Sequence, residues 1–124
     1  WEAIMFASAN KVDNLICTVD YNKKQIDGSL SDVLDLGNLE KKFKAFDWEV
    51  ISSVNGNNYD EIESALNKAN TLTGNGKPIV IIMDTEMGNG VDFMMGSHKW
   101  HGVAPNDEQL DEALKQNPET IKDY

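Results

Sequence analysis

The chain contains no arginine. All 11 of its basic residues are lysines, set against 21 acids, for a formal net charge of -10. Without a guanidinium there is no planar fork to clamp a phosphate through two parallel hydrogen bonds. An acidic chain also repels a phosphate backbone and an anionic bilayer, so neither nucleic acid nor membrane is an expected partner. Cysteine is almost missing as well. Cys17 stands alone, which excludes an internal disulfide and suits a reducing, cytoplasmic setting. Lying mid-run in LICTV, it reads as a small core residue. No apolar run approaches the length of a membrane span, and no signal peptide is visible. An initiating methionine is lacking too. The chain opens on WEAIMFASANK, a helix already under way with no cap before it. The natural sequence is therefore expected to extend upstream and this chain to be a fragment.

What is present suffices for one small domain over residues 1–124, since 40% of the residues are hydrophobic and a core is possible. Residues 1–11 read as a helix in which Ala3, Ile4, Met5, Phe6 and Ala7 are too dense for an amphipathic surface helix. It is expected to be buried on several sides, or to be a docking surface in a separate chain. NLICTVD, 14–20, is a continuous apolar strand of the kind covered on both faces. Residues 21–37 read as a polar loop, and 38–46 as a short amphipathic helix with Asn38 at its N-cap. A strand over 48–54 and a turn over 55–58 follow. The helix over 59–72 puts Ile62, Leu66 and Ala69 on one face and is closed through glycine in GNGK, 74–77. PIVIIMD, 78–84, is the most hydrophobic strand, 85–106 is a long irregular segment, and 107–115 is a helix whose acids come first, as the helix dipole favours.

Strands alternating with helices predict an α/β fold, a three-layer sandwich with a parallel sheet and helices on both faces. In such sheets ligands sit at the carboxyl ends of the strands. Two clusters fall there. In VDYNKKQIDG, 19–28, Asp20, Asn22 and Asp27 either build an Asx-type turn or offer oxygen ligands to Mg²⁺ or Ca²⁺. In TEMGNGVDFMMGSHKWHG, 85–102, four glycines let the backbone approach something closely. His98 and His101 are spaced i, i+3, but zinc would want a third ligand and no cysteine lies near. They read either as exposed loop histidines or as one histidine meeting a phosphate or sugar hydroxyl. Met94, Met95 and Trp100 read as packing residues.

Taken together, WEA, DNLICTVDYNKKQIDG, LEKKFKAFDWEV, GKPIVIIMDT, GNGVDFM and WHGVAP resemble the N-terminal, thiamine-diphosphate-binding part of transketolases. The likeness is greatest to the short N-terminal subunits of split bacterial transketolases, and it runs through nearly the whole chain. It implies a thiamine-diphosphate-binding fold truncated at its N-terminus, with thiamine diphosphate and Mg²⁺ as cofactors and Ca²⁺ as a possible substitute. By the same resemblance Asn22 ligates the metal through its side chain and Lys24 through its main-chain carbonyl. Ile26 packs on the thiazolium ring, and His101 reaches the diphosphate and the sugar oxygens. Glu2 belongs to an acid network linking two active sites across a dimer interface. The implied chemistry is transfer of a two-carbon ketol unit between sugar phosphates, as in the pentose phosphate pathway.

The pattern also departs from the family. A GDG motif, whose aspartate is a further metal ligand, is expected upstream of Trp1, together with a further strand. Many relatives carry a lysine near the cofactor phosphates in T-x-K-G-x-G, where this chain has Met87 in TEMGNG. The glutamate that activates the aminopyrimidine belongs to the other half of a transketolase. The chain alone is therefore expected to be inactive, and its partner to be a C-terminal subunit carrying the pyrimidine-binding domain, in a dimer or heterotetramer. A non-catalytic structural or degenerate module, and a thiamine-dependent enzyme for a different sugar, remain the alternatives.

Overall fold

The computed structural model describes residues 1–118. Two compact units are distinguished: Trp1–Asn22 with Asp35–Thr85, and Lys23–Leu34 with the chain from Glu86 onward. No helix among the described residues is long and apolar enough to cross a membrane.

The first unit is built on three parallel strands, β1 (Ile16–Tyr21), β4 (Glu49–Asn55) and β5 (Ile79–Asp84), in the order β1-β5-β4. Central β5 is paired on both edges, with Ile79 opposite Ile16 and Glu49, and Asp84 opposite Tyr21 and Asn55. Its unbroken run IVII follows from that position, because neither face meets water. Ile79 and Ile81 join Ile51, Val54, Ala65 and Ala69 in one cluster, under α4 (Tyr59–Leu72). Val80 and Ile82 join Ala7, Phe43 and Trp48 in a second, under α1 (Glu2–Ala9) and α3 (Leu39–Ala45). Helices thus cover both faces of the sheet, the layering that the alternation predicts.

Local chemistry sets the helix ends. Asn38 caps α3 by accepting from the Lys41 amide at 2.8 Å, as expected, and Asn58 caps α4 by accepting from the Glu61 amide at 3.0 Å. The glycines after α4 act differently from expectation. The α4 C-cap, Thr73, is extended rather than left-handed, and the Gly74 amide donates to the Asp13 carbonyl, not to a helix carbonyl. The Gly76 amide goes to the Asp13 carboxylate at 3.0 Å, so this turn is pinned to the segment before β1.

Helix α1 also departs from expectation. Only Ala7 is buried, while Met5 and Phe6 keep 47% and 65% of their surface exposed. The density of apolar residues was a sound sign of hydrophobicity, but the helix packs on one side only, through Ile4 and Ala7. The Trp48 indole, itself buried, donates to the Ile4 carbonyl at 3.0 Å and fastens α1 to the start of β4. Cys17 is half-buried beside the second cluster, and desolvation raises its thiol pKa.

The second unit has little regular structure. The segment expected as a plain polar loop folds into an antiparallel hairpin, β2 (Lys24–Gln25) and β3 (Gly28–Ser29), followed by α2 (Leu30–Val33). A two-residue strand is too short to show alternation, which is why the sequence hides it. Residues 86–106 form successive turns and a short 3₁₀ turn, His98–His101. Helix α5 (Asp107–Gln116) closes the described chain. It starts at a reciprocal cap: Asn106 accepts from the Gln109 amide at 2.9 Å, and the Gln109 side chain accepts from the Asn106 amide at 3.0 Å.

Candidate functional site

The carboxyl end of the sheet gathers polar groups from all three strands. Asp20 of β1 accepts from the Thr85 hydroxyl just past β5, so its carboxylate holds two strand ends together. Asn22 is the last residue of the first unit's opening segment and is half-buried. Its neutral amide oxygen suits a hard cation, and it needs other oxygens beside it. Among the described residues no group of three His, Cys, Asp or Glu could hold a metal by itself. An amide oxygen is the type of ligand taken by a metal that keeps water and phosphate oxygens in its shell, as Mg²⁺ does.

Beside this end lies a cleft of about 210 Å³, lined by Tyr21, Asn38, Glu40, Ser52, Ser53 and Asp84 among others. The ladder between β4 and β5 slips between Ile51 and Val54, and Ser53 adopts φ +59 within the slip. Such an irregularity re-aims side chains. Ser52 donates to Glu40 at 2.8 Å, and Lys44 donates to the other Glu40 oxygen at 2.5 Å. These bonds, that of Lys44 first, hold the Glu40 carboxyl below its ordinary range. The sequence offered one signal for this cleft, its place at the carboxyl ends of the strands, but no periodicity announces a bulge.

Glu2, at the start of α1, is exposed. Its own main-chain N–H lowers its carboxyl pKa. Lys23, between Asn22 and Lys24, carries φ +61, a left-handed backbone conformation. Lys24 lies in β2 of the second unit, and Ile26 occupies the two-residue tip of the hairpin with Asp27, 63% exposed. Asp27 thus sits at the turn of the hairpin. The Gln25 side chain donates to the Leu34 carbonyl at 2.9 Å, tying the hairpin to the end of α2. Met87 is half-buried in the turn series, and His101 ends the 3₁₀ turn, exposed. Trp100 does pack, edge-on to Phe93 with ring centroids 5.3 Å apart. The second unit therefore carries Lys24, Ile26, Met87 and His101, and the first carries Glu2 and Asn22.

A family described as the thiamine diphosphate binding domain of transketolase matches residues 1–119. The chain belongs to this family. Among curated relatives, a 6-deoxy-6-sulfo-D-fructose transketolase subunit from Clostridium sp. (strain MSTE9) is 40% identical over 116 residues, which cover 94% of this chain and 41% of that protein. One of the subunits of an apulose-4-phosphate transketolase from Phocaeicola vulgatus is 35% identical over 123 residues, covering 98% of this chain and 42% of that protein. The chain thus spans about two fifths of the length of these relatives. Among solved structures, transketolase from Campylobacter jejuni superimposes with a TM-score of 0.82 at 35% identity, over 93% of this chain and 17% of that one. Transketolase from Leishmania mexicana gives the same TM-score at 30% identity, over 94% and 17%. The fold of this transketolase-family chain is accordingly the α/β thiamine-diphosphate-binding fold.

Proposed function

We propose that the chain supplies the diphosphate- and metal-binding part of a thiamine diphosphate site in a transketolase assembled from separate subunits. The observation that carries this reading is the match to the thiamine-diphosphate-binding domain over residues 1–119, joined to relatives whose names call them subunits. When bound, thiamine diphosphate supplies the carbanion chemistry of two-carbon ketol transfer, which no side chain of this protein can supply. The protein's task is then to hold and orient. The Asn22 amide oxygen and the Lys24 carbonyl, two residues apart in the chain, are the proposed Mg²⁺ ligands. The metal offsets the diphosphate charge, so an acidic chain without arginine can hold that group. Ile26, apolar and exposed at its hairpin tip, is the surface proposed for the thiazolium ring. His101 donates to diphosphate or sugar oxygens, and Glu2 belongs to an acid network at a subunit interface. The missing pyrimidine pocket comes from a C-terminal subunit, in a dimer or heterotetramer, and a cytoplasmic enzyme of carbohydrate metabolism follows.

Met87 favours a second reading within the same chemistry. In the resemblance, many relatives place a lysine here; a thioether cannot attract a phosphate. Either that contact with the cofactor phosphates is lost, or a sugar other than the usual sugar phosphates is served.

Calorimetric titration of thiamine diphosphate with Mg²⁺ tests the proposal, on this chain alone and on its mixture with the C-terminal subunit. Binding in the mixture, lost in Asn22→Ala, is the expected result. Absence of binding in both samples would overturn it and leave a structural module.

A further inference from the structure

The turn that carries His101 has little burial to hold it beyond Trp100, which is half-buried against Phe93. None of His98–His101 is buried, and a four-residue 3₁₀ turn has poor internal hydrogen bonds. Its position must come from the segment in front of it. That segment is a chain of small turns: the Asn89 amide bonds the Glu86 carbonyl at 3.2 Å, Val91 bonds Gly88 at 3.1 Å, and Met94 bonds Val91 at 2.9 Å. Gly88, at φ +73, lies so close to Met94 that a Cβ would stand 2.6 Å from the Met94 Cβ. The Trp100 indole reaches back to the Phe93 carbonyl at 2.9 Å. The two ends of this series are joined by a side chain. The Glu86 carboxylate accepts from the Gly96 amide at 2.7 Å, and Gly96 takes φ +71, a conformation natural to glycine. The next residue, Ser97, caps the turn through its hydroxyl, which accepts from the Lys99 amide at 3.3 Å.

We infer that Glu86 is a positioning residue for His101: its carboxylate fastens Gly96 and thereby sets the turn on which the histidine stands. This rests on the proposed function for the use made of His101, but not for the positioning itself. A carboxylate accepting from a main-chain amide makes a charge-assisted bond, about twice as strong as a neutral one. Glutamine keeps the acceptor oxygen and loses the charge, and alanine loses both. The loop order should therefore fall from wild type to Glu86→Gln to Glu86→Ala.

The test is NMR on the labelled 124-residue chain, reading amide exchange at Gly96, Lys99 and Trp100 and the ring signal of His101. Glu86→Ala is expected to speed exchange at these amides about tenfold and to move the His101 ring signal toward its unstructured position. The β5 amides should hold their protection, and Glu86→Gln should fall between. An unchanged His101 signal in Glu86→Ala, or a glutamine variant no better than alanine, overturns the inference. If Glu86→Ala opens the whole chain, so that β5 exchanges too, Glu86→Gln carries the test. Faster Gly96 exchange than wild type with β5 intact supports the inference, and exchange equal to wild type overturns it. None of these readouts needs cofactor or partner, so a failure of the calorimetric titration is a separate result.

Discussion

Ile79, Val80 and Ile81 of β5 are 0–1% exposed, whereas Leu110 and Leu114 of α5 keep 45% and 59% of their surface exposed. The contrast holds for the two units as wholes. Among the described residues, every buried hydrophobic side chain except Leu30 belongs to the first unit. The second is held by caps, glycine turns and single side-chain bonds, such as Asn117 on the Gly90 carbonyl at 2.9 Å and Gln116 on the Asp92 amide at 2.8 Å. Apolar burial is non-directional and adds up with area, so it gives a scaffold. Directional bonds give position at low stability, and loops carried on a rigid scaffold are where binding groups concentrate. The proposed roles divide accordingly: Asn22 stands at the end of a buried sheet, and His101 and Met87 stand in the turns.

Truncating each unit's apolar side chains breaks the comparison most sharply. Ile81→Ala removes a side chain packed between β4, β5 and α4 and is expected to cost about 2–5 kcal/mol. Against a total stability of about 5–15 kcal/mol, that is a large share. Leu114→Ala should stay within about 0.5 kcal/mol, because its side chain meets water already. Chemical denaturation of the two variants measures the difference. Equal losses would mean that α5 is as much a part of the core as β5.

The cap of α5 gives a smaller and more local effect. Asn106→Ala removes the acceptor for the Gln109 amide and half of the reciprocal pair, at about 1 kcal/mol. Amide exchange should rise along α5 and stay unchanged in β5, and Asn106→Asp should restore protection. An equal rise in β5 would show that the two units open together.

What could be read in the sequence follows the same division. The run of β5 and the Asn38 cap were legible because burial and capping act through residues close in sequence, whereas the expected face of α4 held only in part: Ala69 is buried, but Ala65 takes the place beside it and Leu66 keeps 40% of its surface exposed. The hairpin at Lys24–Ser29 was not legible, since two-residue strands leave no pattern. The exposure of Met5 and Phe6 was not either, because apolar density reports a residue's preference and not whether a neighbour is there to meet it. Asn22 and His101 stood out only by resemblance; their spacing fits turns and loop histidines equally well. The Glu86–Gly96 bond spans ten residues without any periodicity to announce it.

The smallest effect concerns the carboxylate inside the first unit's own cleft, and it asks whether polar bonds matter there as they do in the second unit. Lys44 and Ser52 hold the Glu40 carboxyl below its ordinary value of 4.5. A depressed folded-state pKa stabilises the fold above the unfolded value and loses that contribution as pH falls through the folded one. The window therefore opens at 4.5 and extends to lower pH. Lys44→Met should bring the Glu40 pKa up toward its ordinary value more than Ser52→Ala does, since the Lys44 bond is the larger cause. Following the Glu40 carboxyl carbon by NMR from neutral to strongly acidic pH reads both shifts. Because the side chains of Lys44 and Glu40 are 57% and 39% exposed, solvent screens the pair, and thermal stability at neutral pH should hardly change. A marked loss at neutral pH in either variant would show that the bulged end of β4 depends on this network, and that the sheet unit, like the turn unit, is positioned in part by directional bonds.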